Sequence, residues 1–130
     1  MVRVILKSKL QRLKVTAANL LYEGSLGLDA DLMEAALLVP YEQVTVLNVN
    51  NGERLETYVI PEPRGSGIVC LNGPAARKGV VGDELVVLSY ALLTEAELPG
   101  HTPVVVTVDE HNRMLRRSLL EVAHAVDPQG

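Results

Sequence analysis

The stretch QVTVLNVNNGERLETYVI, residues 43–60, decides the fold class of this 130-residue chain. Its first part, residues 43–50, is rich in Val and Leu, and residues 54–60 alternate apolar and polar side chains as a half-buried strand does. The dipeptide Asn51-Gly52 between them is a strong signal for a tight hairpin turn. The stretch therefore predicts a β-hairpin.

Strand patterns also dominate on both sides of the hairpin. Several short strands at close spacing, with few helices between them, predict a small closed β-barrel. The further apolar runs that suggest strands lie at residues 2–7, 15–21, 68–71, 84–93 and 103–109, the last of these being the final strand expected.

Helical signals are fewer. Residues 29–39 predict a helix, because Asp31 and Glu34 resemble a capping box and Pro40 ends the pattern. One further helical turn is expected after residues 72–74. The tail predicts an amphipathic helix that either docks on the barrel or binds a partner, because apolar side chains recur there at helical spacing. These tail residues are Leu115, Leu119, Val122 and Val126.

Composition limits the class of protein. With 48% hydrophobic and 22% charged residues, the chain can form one buried core, and we expect a single domain over residues 1–130. It has no Trp, no Phe and only four Tyr, which rules out aromatic stacking platforms for single-stranded nucleic acid. The single cysteine, Cys70, excludes an intramolecular disulfide and has no zinc-type spacing to a histidine. No stretch approaches the roughly 20 apolar residues of a membrane span, so we expect a soluble, cytoplasmic protein without a metal.

The charge is unevenly distributed. The formal net charge is −4, but residues 1–22 contain five basic side chains and no acidic one. The other seven basic and sixteen acidic residues leave −9 on the rest of the chain. A basic end can be a nucleic-acid arm, a subunit contact or a set of cations for an anionic substrate. Composition leaves all three open.

The sequence lacks a Gly-rich phosphate loop and a Ser nucleophile elbow. An ordered set of short motifs runs instead from Met1 to about Pro103, and this set closely resembles the pyruvoyl-dependent aspartate 1-decarboxylases. Each motif alone is unspecific, but the ordered set is specific. The motifs are Lys-Ser-Lys-Leu at 7–10, Tyr-Glu-Gly-Ser at 22–25, Asn-Gly-Glu-Arg at 51–54, Thr57-Tyr58, Arg-Gly-Ser-Gly at 64–67, Leu-Asn-Gly-Pro-Ala-Ala at 71–76 and Gly82-Asp83.

The resemblance implies a fold and a reaction. Members of this family fold as a six-stranded double-psi β-barrel, form homotetramers and convert L-aspartate to β-alanine and carbon dioxide for pantothenate and coenzyme A synthesis. They cleave themselves between a Gly and a Ser, so the implied products here are residues 1–24 and 25–130. The implied cofactor is a covalent pyruvoyl group made from Ser25, with neither a metal nor pyridoxal phosphate. The resemblance leaves open whether cleavage is spontaneous or needs a maturation factor.

The chemistry of residues 24 and 25 fits this implication. The Ser25 hydroxyl can attack the Gly24 carbonyl in an N→O acyl shift, and elimination and hydrolysis then leave a ketone. That ketone can form a Schiff base with a substrate amine and accept the electrons left by departing carbon dioxide. Gly24 suits cleavage because it has no Cβ to obstruct the carbonyl. An isolated Gly-Ser pair would be an ordinary turn.

Two further candidates lie on one predicted strand. Arg54 and Tyr58 are four residues apart and share a strand face. The resemblance assigns Tyr58 as the proton donor to the carbanion and Arg54 as the anchor of a substrate carboxylate, and Lys9 matches a lysine near that carboxylate. Thr57 matches a residue used in cleavage and substrate contact. On a regular strand Thr57 faces the other way, so we expect a twist or a bulge there, or a role for its backbone.

The segment of residues 72–75 completes the set. Asn72, Gly73, Pro74 and Ala75 match the segment that holds the substrate and polarises the carbonyl to be cleaved. Two positions depart from the family pattern: Gln11 stands where His is usual, and Pro74 stands where Ala is usual. Pro74 has no backbone N–H, which leaves the Ala75 N–H as the contact. We expect slower processing or altered affinity at worst.

Two other hypotheses compete with the decarboxylase. A non-enzymatic barrel module could bind DNA or a partner through its basic strand, residues 1–14, and binding would then depend on salt. An unprocessed relative could serve only as a structural subunit. A denaturing gel separates the decarboxylase from both, because only the decarboxylase releases residues 1–24.

Overall fold

The computed structural model describes residues 1–120, which form nine strands, one α-helix and two 3₁₀ turns. The elements are β1 (Val2–Lys14), β2 (Ala17–Asn19), β3 (Ser25–Asp29), α1 (Ala30–Ala35), β4 (Gln43–Asn48), β5 (Arg54–Glu62), β6 (Val69–Asn72), a 3₁₀ turn (Gly73–Arg77), β7 (Glu84–Thr94), a 3₁₀ turn (Leu98–Gly100), β8 (Val104–Val108) and β9 (Met114–Leu119).

The strands form one sheet in the order β2-β6-β3-β5-β4-β7-β1-β8-β9. This confirms the mainly β class and is consistent with a small β-barrel. Thr16, just after β1, donates its N–H to the Val69 carbonyl of β6 at 2.8 Å, which joins regions near opposite ends of the strand order. The resemblance implied six strands, whereas residues 1–120 contain nine in this sheet. The additional strands include two exposed edge strands, β2 and β9. The double-psi arrangement stays a prediction.

The predicted hairpin is confirmed. β4 and β5 pair antiparallel in a regular register, with Gln43 opposite Tyr58 and Leu47 opposite Arg54. Gly52 has a φ of +76°, which glycine adopts without the steric cost of a Cβ, and its N–H donates to the Asn48 carbonyl at 2.9 Å.

The first strand is longer than its alternating pattern suggested. β1 pairs antiparallel with β7 and parallel with β8, and its register shifts between Leu10 and Leu13, where Arg12 has a φ of +67°. The shift keeps both Leu10 and Leu13 in the core, although three positions separate them. β1 therefore lies inside the sheet, between two neighbouring strands.

The predicted helix exists but is shorter, and its predicted cap is wrong. Asp29, not Asp31, caps α1, because the Asp29 carboxylate accepts the Asp31 N–H at 2.8 Å. The expected capping box does not form: Asp31 and Glu34 instead accept hydrogen bonds from Arg64 at 2.8 and 2.7 Å. The helix ends at Ala35 rather than Val39, and Leu37 has a φ of +60° just beyond it.

The predicted tail helix is wrong where the structure describes it. Met114–Leu119 is strand β9 and pairs antiparallel with β8, so β8 is not the final strand. Leu115 and Leu119 are four residues apart, a spacing that fits one face of a helix and one face of a strand equally well. The other residues of that pattern, Val122 and Val126, lie outside the described residues. Within residues 1–120, no helix has the length and apolar character needed to cross a membrane.

Candidate active site

The N-terminal end of β3 holds a buried serine. Ser25 is 1% exposed and pairs with Asn72 across the antiparallel ladder of β3 and β6. The Asn72 side-chain amide donates to the Ser25 Oγ at 3.1 Å, and the Ser25 hydroxyl donates to the Glu23 carbonyl at 3.3 Å. The hydroxyl is thus fixed from both sides, next to the Gly24 peptide.

The backbone of Gly73 packs directly on Gly24. Gly73 has a φ of +62°, and a Cβ built on it would lie 2.8 Å from both the N and the Cα of Gly24 and 2.8 Å from the Tyr22 carbonyl oxygen. A Cβ on Gly24 would lie 3.4 Å from the Pro74 ring. Glycine at position 73 therefore allows a close approach that other residues would block.

The opposite end of β3 is fixed by a second buried side chain. Asp29 is 2% exposed, and its carboxylate accepts the backbone N–H groups of Gly65 and Gly67 at 3.1 and 2.9 Å. The Arg-Gly-Ser-Gly motif at residues 64–67 therefore folds around Asp29. Both ends of β3 are held, which limits the movement of Ser25.

A cavity of about 300 Å³ opens beside Gly24. It brings together four of the residues singled out from the sequence, Gly24, Thr57, Pro74 and Ala75. Thr57 reaches this cavity although β4 and β5 keep a regular register there. The expected bulge is therefore not required: residues of both faces of β5 reach the cavity without a shift in register. The remaining lining residues are Leu55, Glu56 and Lys78.

Arg54, Tyr58 and Lys9 lie elsewhere in one chain. Arg54 lines a separate groove of about 540 Å³ and forms an exposed ion pair with Glu56 at 3.3 Å. The ring of Tyr58 lies against the ring of Tyr41, with centroids 6.1 Å apart. Lys9 lies on β1, opposite Leu88 of β7 and Val105 of β8. None of these three side chains lines the cavity at Gly24, although Glu56, the partner of Arg54, lines both this cavity and the groove.

Cys70 contacts Asn72, the residue that donates a hydrogen bond to Ser25, and we did not predict this role from the sequence. Its Sγ donates to the Asn72 Oδ1 at 3.1 Å. Burial raises the pKa of the Cys70 thiol, and the nearby Glu62 carboxylate raises it further. The available signal was the spacing of Cys70 and Asn72, which are two residues apart and therefore share a face of β6.

The two departures from the family pattern have local structural roles. The Gln11 amide donates to the Thr107 hydroxyl at 3.0 Å, between β1 and β8. Pro74 lies in the first turn of the 3₁₀ segment, where a missing N–H costs little.

The basic N-terminal segment is largely paired with acidic groups of the same chain. These pairs reduce the free positive charge that a nucleic-acid arm would need. The ion pairs are Arg3 with Glu95 at 2.9 Å, Lys7 with Glu42, and Lys14 with Glu84 at 2.9 Å.

Comparison with known proteins gives one consistent result. A family model described as aspartate decarboxylase matches residues 1–115. The chain is 54% identical to an aspartate 1-decarboxylase of Salinibacter ruber over 95% of this chain and 84% of that protein. It is 53% identical to one of Syntrophobacter fumaroxidans over 92% of this chain and 96% of that protein. It is 46% identical to one of a Geobacillus species over 97% of this chain and 99% of that protein.

Proposed function

Since the chain belongs to the aspartate decarboxylase family, we propose that it converts L-aspartate to β-alanine and carbon dioxide in pantothenate biosynthesis. We further propose that it does so with a pyruvoyl group made from Ser25 after cleavage of the Gly24–Ser25 bond. The products of this cleavage are residues 1–24 and 25–130. The observation that carries the cleavage step is the buried Ser25 hydroxyl, held between the Asn72 amide and the Glu23 carbonyl.

The cleavage step uses the groups around Ser25. The Ser25 Oγ forms a bond to the Gly24 carbonyl carbon, the peptide C–N bond breaks, and the nitrogen takes up the proton that the hydroxyl loses, which gives an ester. Elimination then breaks the bond between Cβ of residue 25 and the ester oxygen and frees residues 1–24 with a C-terminal carboxylate. Water hydrolyses the dehydroalanine that remains, releasing ammonia and leaving the ketone. The Asn72 N–H donor stabilises negative charge on Oγ while the hydroxyl proton leaves in the first step. Gly24 presents an unobstructed carbonyl, and the close packing of Gly73 holds the peptide in place.

The residues at the cavity fit the proposed pyruvoyl group. Position 25 directly follows Gly24, which lines the cavity, so the proposed carbonyl would form next to a space that a small substrate can enter. A pyruvoyl carbonyl supplies an electrophilic centre that accepts the electrons left by departing carbon dioxide. Thr57 and the Ala75 N–H offer polar contacts to the substrate, and a cavity of about 300 Å³ suits a four-carbon diacid.

Binding of a substrate with two carboxylates requires cations, and we assign these to Lys9 and Arg54. The ion pair of Arg54 with Glu56 is exposed and therefore weak, so a substrate carboxylate can replace Glu56 as its partner. Because neither cation lines the Gly24 cavity of its own chain, the proposed homotetramer provides the means to bring them to a neighbouring copy's cavity. Tyr58 is the proposed proton donor to the carbanion.

The finer features of the family belong to the same proposal. They are a six-stranded double-psi core within the sheet, a cytoplasmic location and, where cleavage is slow, an accessory maturation factor. The Lys9, Arg54 and Tyr58 assignments depend on the tetramer, whereas the cleavage at Gly24–Ser25 uses groups of one chain.

The experiment is a denaturing gel with intact mass measurement on the purified protein. We expect masses for residues 1–24 and 25–130 in the wild type and a single chain of 14.1 kDa in Ser25→Ala. The chain contains a matched control, Gly65-Ser66, whose serine is exposed and whose Oγ accepts the Ile68 N–H. Ser66→Ala should cleave like the wild type. A wild-type chain that stays intact after prolonged incubation, both alone and in a cell extract that can supply a maturation factor, would overturn the cleavage proposal, as would cleavage in Ser25→Ala.

A further inference from the structure

Four groups around Ser25 form a chain of hydrogen bonds that runs in one direction. The Cys70 thiol donates to the Asn72 Oδ1 at 3.1 Å, and the Asn72 Nδ2 donates to the Ser25 Oγ at 3.1 Å. The Ser25 hydroxyl then donates to the Glu23 carbonyl at 3.3 Å. Each member of this chain therefore depends on the orientation of the member before it.

The orientation of the Asn72 amide is the critical feature of this chain. An Asn amide has an oxygen end and a nitrogen end of nearly the same shape, so its partners select which end faces which side. The Ser25 hydroxyl directs its hydrogen to Glu23 and accepts from Asn72, which requires the nitrogen end at Ser25. The oxygen end then needs a donor on its other side. The Cys70 thiol is that donor.

We propose that Cys70 is a positioning residue for self-cleavage, because its thiol holds the Asn72 amide with Nδ2 toward the Ser25 Oγ. This inference rests on the proposed cleavage of the Gly24–Ser25 bond. While Oγ bonds to the Gly24 carbonyl carbon and its proton moves to the departing nitrogen, the Asn72 N–H stabilises the charge on oxygen. The opposite orientation would place the Asn72 oxygen against that charge and repel it.

The surroundings of Cys70 keep the thiol protonated at neutral pH. Burial and the Glu62 carboxylate of β5 both raise its thiol pKa. The residues opposite Cys70 on the neighbouring strands are Ala17 of β2 and Gly27 of β3, and neither carries a charge. The thiol therefore acts as a donor until the pH rises above the usual range for a thiol.

The first test compares the rates of cleavage of freshly purified precursors at pH 7. Cys70→Ser keeps a donor, Cys70→Ala removes it, and Cys70→Val removes it while filling the space. We expect Cys70→Ser to cleave at about the wild-type rate and the Ala and Val variants to cleave roughly five- to tenfold more slowly, the effect of one lost hydrogen bond. Wild-type rates in both Cys70→Ala and Cys70→Val would overturn the proposal.

The second test separates positioning from structure through pH. Ionisation converts the wild-type thiol from a donor to an acceptor, whereas the Cys70→Ser hydroxyl does not ionise in this range. The ratio of the wild-type cleavage rate to the Cys70→Ser rate should therefore fall as the pH rises through the thiol pKa. A ratio that is independent of pH would contradict the role of the thiol, and this comparison needs no donor-free variant to fold.

The two proposals fail in different ways. A wild-type chain that never cleaves contradicts the proposed function itself. Cleavage in the wild type at the same rate as in Cys70→Ala and Cys70→Val contradicts only the role of Cys70. Each Cys70 variant is also made in a Ser25→Ala background, where no chain cleaves. Its unfolding in urea then measures how far a change in stability contributes to the cleavage rate.

Discussion

The close approach of Gly73 to Gly24 predicts the outcome of Gly73→Ala. At a φ of +62°, any residue with a Cβ pays a strain of about 1–2 kcal/mol. The new Cβ would also lie 2.8 Å from two backbone atoms of Gly24 and from the Tyr22 carbonyl oxygen. Because the obstructing atoms belong to the main chain, they must shift, and overpacking of this kind costs about 1–3 kcal/mol. We expect a total loss in the free energy of unfolding of about 2–5 kcal/mol.

Gly52→Ala is the matched control for this prediction. Gly52 has a φ of +76°, but a Cβ there would point into space that is open among residues 1–120. Gly52→Ala should therefore lose only the free energy of the backbone strain, about 1–2 kcal/mol. The difference between the two variants measures the contact with Gly24.

The assay is unfolding in urea at one fixed protein concentration, with both substitutions made in the Ser25→Ala background so that every sample is a single uncut chain. The same substitutions in the chain with Ser25 then give the rate of cleavage on a denaturing gel. Gly73→Ala should cleave far more slowly than Gly52→Ala, because Gly24 is displaced. Equal losses of stability in the two variants, together with wild-type cleavage in Gly73→Ala, would refute the reasoning.

Three further predictions follow from other parts of the molecule. Tyr58→Phe should abolish release of β-alanine and leave cleavage at Gly24–Ser25 intact, since it removes the proposed proton donor; an unchanged rate of release argues against that role. Asp29→Ala leaves three backbone N–H groups without their carboxylate and should lower the free energy of unfolding by about 2–4 kcal/mol, whereas Asp31→Ala, at an exposed position, should have a smaller effect in the same urea titration. Hydrogen bonds from the Asn48 amide and the Val80 N–H lower the pKa of Asp83, so its carboxylate stabilises the fold above its ordinary pKa and loses that contribution as the pH falls through the lowered one. The stability difference between the wild type and Asp83→Asn should therefore shrink below about pH 4, and a constant difference down to pH 2 would contradict this.

The hairpin was predictable because its signals are local. Asn51-Gly52 and the apolar runs beside it specify the turn and both strands without help from distant residues. The cap of α1 was not predictable from the sequence, because Asp29 and Asp31 are both residues of a type that can cap a helix. The difference arises from Gly65 and Gly67, whose N–H groups reach Asp29 from a loop more than thirty residues away.

In the candidate site, too, the local motifs were predictable and the long-range packing was not. The Gly24-Ser25 pair could be recognised from motifs, and so could residues 72–75, because both belong to an ordered set. Their mutual packing could not, since it depends on the pairing of β3 with β6. The place of Thr57 at the cavity also depends on long-range packing. The tail was misread because a spacing of four residues suits both a helix and a strand.

The interior position of β1 determines what would remain after the proposed cleavage of the Gly24–Ser25 bond. Residues 1–24 contain all of β1, which stays hydrogen-bonded to β7 on one side and β8 on the other. The short chain would then be a noncovalently bound central strand, and the protein would be a pair of complementing fragments. The mass and overall fold of the native protein would not reveal the cleavage, and only denaturation would separate residues 1–24 from residues 25–130. Refolding from the two separated chains would be a bimolecular reaction. Recovery of the fold after denaturation should therefore depend on protein concentration, whereas recovery of the uncleaved chain should not.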